Sequence, residues 1–448
     1  MNYVLVFITI VIFLFLSKSL RTKLERYFYF ITGGYICTTL LISLLNPYDL
    51  YDVSTWTYLY LTLGFLCFWI GYISMRKRHG YDFTIDPGSM LDSLLSSKVL
   101  WMIYVVSLLL MLSLAVTQWV LIRAQGAMWN LKVDAFELLF GNNSLLYFVY
   151  QCIAFPMFYL CVVLFSYSFI NKGVSKKSLL CLFYALIFCY VGGKRGYFQT
   201  LIEIFVIIYI VHKLNNGQRL LQMLKSSYKV FFMLFVVYLG AAYMTSLNSD
   251  EGLSKQKLRE SGDENAKNLV IYNVGAYRAF DYALRNNYFL QCGGYHYGRA
   301  TVGGCVEYYV TNIASRLGLG MKTVREQTML KLQDDSIYIG KDIPFNFLYT
   351  SFMYFYFDFG FIGILLFSYL FGRFTKYSIV LYESDRSMGS LAFLSYMFVS
   401  CILFPAGWFN VSLSAQPTLL LFYLIRKIEL SRASKNSYAV SNEFYNCN

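Results

Sequence analysis

Long apolar runs separated by short polar breaks dominate this chain. Several of them reach the roughly 18–20 residues needed to cross about 30 Å of hydrocarbon. Helical spans are predicted at about 3–17, 28–46, 57–75, 99–119, 145–170, 178–192, 197–212, 229–246, 347–373, 389–405 and 413–426. The first run, Tyr3 to Leu16, has no basic leader and no small-residue cleavage site, so it reads as a retained span. One polar stretch, 247–346, interrupts the apolar pattern. The last residues, SRASKNSYAVSNEFYNCN, read as a disordered tail. The predicted fold is therefore all-α: a polytopic membrane bundle of about eleven helices with one large, mostly helical loop. It divides into spans one to eight (1–246), the loop (247–346), spans nine to eleven (347–426) and the tail (427–448).

Composition agrees. The 448 residues are 57% hydrophobic and 14% charged, well below the charge of soluble domains. The net charge of +13 follows topology and does not signal nucleic-acid binding. With the N-terminus outside, 22 of the 38 Lys and Arg fall in inner segments and four in the short outer loops. The other 12 lie in 247–346, which is long enough to escape the positive-inside rule. That bias predicts an N-out, C-in orientation, with 247–346 on the extracytoplasmic side. Cys292 and Cys305 both fall in this outer loop, where a disulfide and two separate thiols are equally open.

Three stretches carry candidate chemistry. In YVGGKRGYFQT (190–200), Lys194 and Arg195 sit between two spans at the outer face. They fit an interfacial anchor whose cations reach the headgroups. They also fit an anion site, with glycines admitting a bulky group and a helix N-terminus adding N–H donors. In the loop, VGAYRAFDYALRNNYF places Arg278, Asp281 and Arg285 on one helix face, as a solvated ladder or as part of a site. CGGYHYGRATVGGC follows, with His296 and Arg299 between glycine pairs, and Arg316, Lys322 and Arg325 come next on a predicted amphipathic helix. The loop balances 12 basic against 11 acidic residues, so an anion must be gripped locally. Its 12 aromatic residues, nine of them tyrosine, suit either packing or sugar stacking. In span nine, Asp358 lies in a deeply apolar helix and needs a partner, for which Arg195 is a candidate. A structural ion pair or a helix cap would serve equally. No Walker-A sequence, Asp-x-Asp signature or external Cys/His cluster is present, which speaks against an ATP-driven pump and a zinc site.

Together these stretches resemble the Wzy-type O-antigen and capsule polymerases. The residues that carry the resemblance are Gly193-Lys194-Arg195-Gly196, Tyr277 with Phe280-Asp281 and Gly294, and Asn346 with Asp358-Phe359-Gly360 and Gly372. It implies a GT-C-like glycosyltransferase that works without metal or cofactor at the periplasmic face. Donor and acceptor would be undecaprenyl-pyrophosphate-linked oligosaccharides, with membrane lipid and a chain-length regulator as further partners. Arg195 matches the motif arginine and Asp358 the acidic residue. Lys194, Arg195, Arg278 and Arg299 are then the expected pyrophosphate ligands. His296 is the first candidate base, followed by Asp281 and Asp358. A flippase for the same lipid-linked sugars and an O-antigen ligase are the competing readings. The flippase expects broken helices in matching halves, which the sequence does not announce.

Overall fold

The structure, a computed structural model, describes residues 1–75, 87–125, 144–192, 195–217, 271, 273–324, 327–328, 337–341, 343–345, 350–408 and 412–446. In chain order the helices are α1 (Asn2–Leu16), α2 (Lys23–Leu45), α3 (Thr55–Ser74), α4 (Pro87–Ser96), α5 (Lys98–Gln125), α6 (Ser144–Val149), α7 (Phe155–Asn171) and α8 (Lys176–Gly192). They continue as α9 (Arg195–Asn215), α10 (273–285), α11 (Tyr288–Gln291), α12 (Arg299–Val302), α13 (Gly304–Arg316), α14 (Ser351–Asp385), α15 (Met388–Leu403) and α16 (Ala415–Asn446). The antiparallel hairpin β1 (Ile337–Gly340) and β2 (Ile343–Phe345) forms the one sheet among the described residues.

Seven of these helical stretches are long and apolar enough to cross a membrane: Asn2–Ser19, Lys23–Leu45, Thr55–Ser74, Lys98–Leu121, Leu145–Asn171, Gly196–Asn215 and Ser351–Asp385. The chain is a mostly helical membrane protein. The span expected at 229–246 lies outside the described residues. Helix α16 continues to Asn446, through the stretch read as a tail. At the start of that stretch the buried Glu429 accepts the N–H groups of Met388 and Gly389 at 3.3 and 3.1 Å, capping α15, and Arg432 bonds Ser93. A composition-based reading of disorder misses such long-range partners.

Contacts group the chain into two compact units. The first comprises Met1–Arg78, Asp263–Val380 and Ser400–Gln416. Here α2 starts at a Thr22–Glu25 capping box and stops at Asn46, which takes a left-handed conformation and exchanges two hydrogen bonds with Leu50. Helices α3 and α14 touch backbone to backbone: a Cβ on Gly71 would strike the Tyr369 carbonyl, and one on Gly372 the Phe68 carbonyl. Such small-residue contacts replace the hydrophobic drive that lipid does not supply. At one end of this packing Lys376 pairs with Glu25 at 2.5 Å, both buried, and the Glu25 carboxylate also accepts the N–H groups of Arg21 and Thr22. The opposite end carries the loop.

The second unit comprises His79–Gly262, Leu381–Val399 and Pro417–Asn448. Helices α7, α8 and α9 pack through a cluster of Tyr150, Phe155, Phe158, Phe188 and Tyr197. A π-helical turn, Tyr150–Ala154, joins α6 to α7. Pro156 accounts for it, since its ring displaces the carbonyl of Cys152 and it offers no N–H.

Candidate functional site

Helix α10 fastens the loop to the α2–α3 connection, one rung after another. Tyr35 donates its hydroxyl to Asn273 at 2.6 Å, and Thr39 and Tyr277 share a hydroxyl contact at 2.8 Å. Arg278 then spends all its donors: Nε on the Tyr51 carbonyl, Nη1 on Val274 O and Ser43 Oγ, and Nη2 on Ser43 O and Asn46 Oδ1, at 2.9–3.3 Å. It is 4% exposed. This corrects the expectation of a pyrophosphate ligand, because no N–H of Arg278 remains to offer. Burial lowers its pKa from the ordinary arginine value, and neighbouring Tyr58 and Asp52 oppose that.

Asp281 is similarly committed. Oδ1 accepts Ser54 N–H at 3.1 Å, the Ser54 hydroxyl and the Thr57 hydroxyl at 2.7 Å, while Oδ2 pairs with Arg285 at 2.8 Å. It caps the start of α3 and orients α10, which corrects its candidacy as a base. The ladder that looked solvated in the sequence is turned inward, and only Arg285 stays exposed. The β-hairpin closes the same joint, with Tyr51 N–H donating to Ile339 O at 2.7 Å.

The centre of interest is a break in α14. Phe359 and Gly360 leave helical geometry, with Gly360 at φ +59°, ψ −143°. The break frees the Phe357 carbonyl, which accepts the His296 backbone N–H at 2.9 Å. Asp358, fully buried, accepts Ala300 N–H at 3.0 Å and Thr301 N–H at 2.8 Å. It thus caps the turn that begins α12, with the carboxylate bound to backbone amides, the cap alternative of the sequence reading. Its carboxylate belongs to a positioning residue. Trp408 donates Nε1–H to Thr301 O at 2.7 Å, and Gln416 donates to Val302 O and accepts from Val306 N–H. The segment 295–306 is thereby seated against the broken helix. The glycine pairs explain how: Gly293, Gly294 and Gly298 have φ near +80 to +90°, and Tyr297 joins them at +53°.

His296 and Arg299 come together here. His296 is 4% exposed; its ring bonds the Cys292 backbone carbonyl, and Nε2 is buried without a hydrogen-bond partner. The bonded ring atom is then Nδ1, and Nε2 presents a lone pair. Burial chiefly lowers the His296 pKa below its usual 6.5, Asp358 counters this, and Arg299 adds to it. Arg299 is about one-third exposed and uses Nη2 to bond Glu307 Oε1 at 2.7 Å and Lys322 O at 2.8 Å. Tyr295, Tyr297 and Phe359 are exposed around the break, with the Tyr297 and Phe359 rings 6.0 Å apart. Cys292 and Cys305 are both thiols. Among the described residues no three His, Cys, Asp or Glu side chains gather as metal ligands.

In the second unit, Arg195 opens α9, while its side chain and all of Lys194 lie outside the described residues. The flanking glycines divide in role: Gly192 leaves room for the Tyr197 ring, whereas Gly196 faces open space. One and two turns along α9 from Arg195, Gln199 donates to the buried Glu203 at 2.6 Å. The sequence reading passes over Glu203, although a carboxylate in an apolar span is the same signal that singled out Asp358. It also passes over Glu307, which gathers Arg299, Thr311 and Val324 on one oxygen.

No family model, no curated protein and no solved structure matches this chain.

Proposed function

We propose that this protein is a polysaccharide polymerase. It would transfer a growing oligosaccharide from undecaprenyl pyrophosphate to a new lipid-linked repeat unit at the periplasmic face of the inner membrane. The reading keeps the eleven-span, N-out topology and the periplasmic assignment of 247–346. The observation that carries it is the pairing at the α14 break: a buried imidazole with an unpartnered nitrogen beside a guanidinium about one-third exposed, with exposed tyrosines around it. In the proposed step an acceptor hydroxyl attacks the donor's anomeric carbon and the bond from that carbon to the pyrophosphate oxygen breaks. The hydroxyl proton passes to His296 Nε2, and the pyrophosphate leaves as its anion. Arg299 meets the charge that develops on the leaving group, and the tyrosines offer stacking faces to sugar rings. The resemblance also implies Lys194 and Arg195 as pyrophosphate ligands. The resemblance implies that this proceeds without metal, and it also supplies the chain-length regulator as a partner. Asp358, Arg278 and Asp281 hold the loop in place.

A flippase is the second reading, and the broken α14 favours it, because discontinuous helices line many transport sites. Purified protein given lipid-linked repeat unit alone in detergent separates the readings. A ladder of multiples supports the polymerase, and transfer only after lipid A-core is added identifies a ligase. Movement across a vesicle without any new glycosidic bond identifies the flippase. Arg195→Ala is expected to lower ladder formation by about 10²–10³-fold with normal insertion. Full activity in that variant removes Arg195 from the site.

A further inference from the structure

Helix α13 is amphipathic in an inverted sense. Gly304, Thr311 and Ala314 face inward and are buried. The outward face carries Val306, Val310 and Ile313, extended at either end by Val302 and Leu317, and these five are 57–73% exposed. At about 100° per residue they share one arc of about 80°. Tyr309 is half-buried on its flank, and the exposed Arg316 and Lys322 lie at its far end. The sequence reading places Arg316 and Lys322 together on an amphipathic helix; in the structure α13 ends at Arg316, and its outward face carries this aliphatic stripe.

What covers such a stripe follows from where α13 begins. Thr301 is bonded to Asp358, at the break in α14, so Val302 starts the stripe beside the break. Beyond the break, residues 361–385 of α14 rise about 37 Å at 1.5 Å per residue, enough to cross a bilayer without 351–358. That helix shows its own exposed stripe, Ile362, Leu366 and Leu370. The break is therefore placed at the membrane surface. The exposed Tyr295, Tyr297 and Phe359 around it match the aromatic belt of a bilayer interface. The apolar surface of α13 continues the lipid-facing surface of α14, and the cations at its end suit anionic headgroups.

We propose that α13 is an in-plane membrane helix, its stripe Val302–Val306–Val310–Ile313–Leu317 sunk about 5–10 Å into the bilayer interface. It holds the loop, and with it His296 and Arg299, at headgroup level. The inference rests on membrane insertion alone and stands apart from the glycosyl-transfer reading.

The test uses the full chain in vesicles of phosphatidylethanolamine and phosphatidylglycerol. A benzophenone amino acid is placed singly at position 306, 310, 313 or 315, with 362 as the lipid-facing reference. Position 315 is exposed on the side of α13 opposite the stripe. After irradiation, mass spectrometry identifies the adduct. Phospholipid adducts at 306, 310 and 313, at yields like that of 362 and severalfold above that of 315, are expected. Equal lipid labelling at 315 overturns the proposal. So do protein adducts in place of lipid at the three stripe positions, which would make the face a protein-docking surface.

Discussion

The backbone N–H of His296 donates to the Phe357 carbonyl across 2.9 Å, so a loop residue completes a hydrogen bond that the broken span cannot make for itself. Loop and break define each other. Several outcomes depend on that mutual support.

Gly360→Ala should destabilise the break. The backbone at φ +59°, ψ −143° is essentially closed to residues with a Cβ, and the added methyl would also lie 3.1 Å from the Tyr295 hydroxyl. A cost of about 1–3 kcal/mol is expected, read as a lower Tm in detergent.

Removing the Asp358 carboxylate strands two buried amides. Asp358→Ala should cost about 2–6 kcal/mol at roughly 1–3 per unpaired group. Limited proteolysis should then cut first within 288–302. Asp358→Asn keeps one acceptor and should fall between the two proteins.

Arg278 and Arg299 should behave oppositely. Arg278→Lys leaves several carbonyl and amide acceptors unmet and should lower stability by about 2–4 kcal/mol, with activity per folded molecule preserved. Arg299→Ala breaks a partly exposed pair worth under about 1 kcal/mol, so Tm should hardly move. Its polymer ladder should weaken by about 10²–10³-fold. Thermal melts and ladder assays on the same preparations distinguish the two arginines.

His296 gives a pH dependence of stability. Its folded-state pKa lies below 6.5, so the unfolded chain binds more protons as the pH falls and stability rises with pH in that region. The contribution is complete above the unfolded value and is lost as pH falls through the folded one. Wild-type Tm should therefore drop more steeply than that of His296→Gln between about pH 7 and pH 5. If His296 is the base, the acid limb of the rate profile should also lie below the ordinary histidine range.

The apolar periodicity made the helices and most of their boundaries legible, because a span must satisfy its own backbone in lipid. The loop was legible in composition only. Arg278, Asp281 and Arg285 share a helix face, as their spacing requires, but spacing does not say whether that face meets water or Ser43, Asn46 and Ser54. These partners lie more than 220 residues away in sequence. Asp358 was visible as a costly charge, but the break at Phe359 and Gly360 was not announced. The amides that satisfy it come from Ala300 and Thr301, which carry no polar pattern of their own. The proximity of His296 and Arg299 was local and survived. Lys194 lies outside the described residues, so the stretch 190–200 keeps its two readings at that position.

The distance along the chain between the α2–α3 hairpin and its fastenings shapes biogenesis. The hairpin leaves the ribosome between 224 and 238 residues ahead of Asn273, Tyr277, Arg278 and Asp281. At about 5–20 residues per second, Ser43, Asn46, Ser54 and Thr57 wait some ten seconds or more for their protein partners. During that interval water, headgroups or the insertion machinery must occupy those positions.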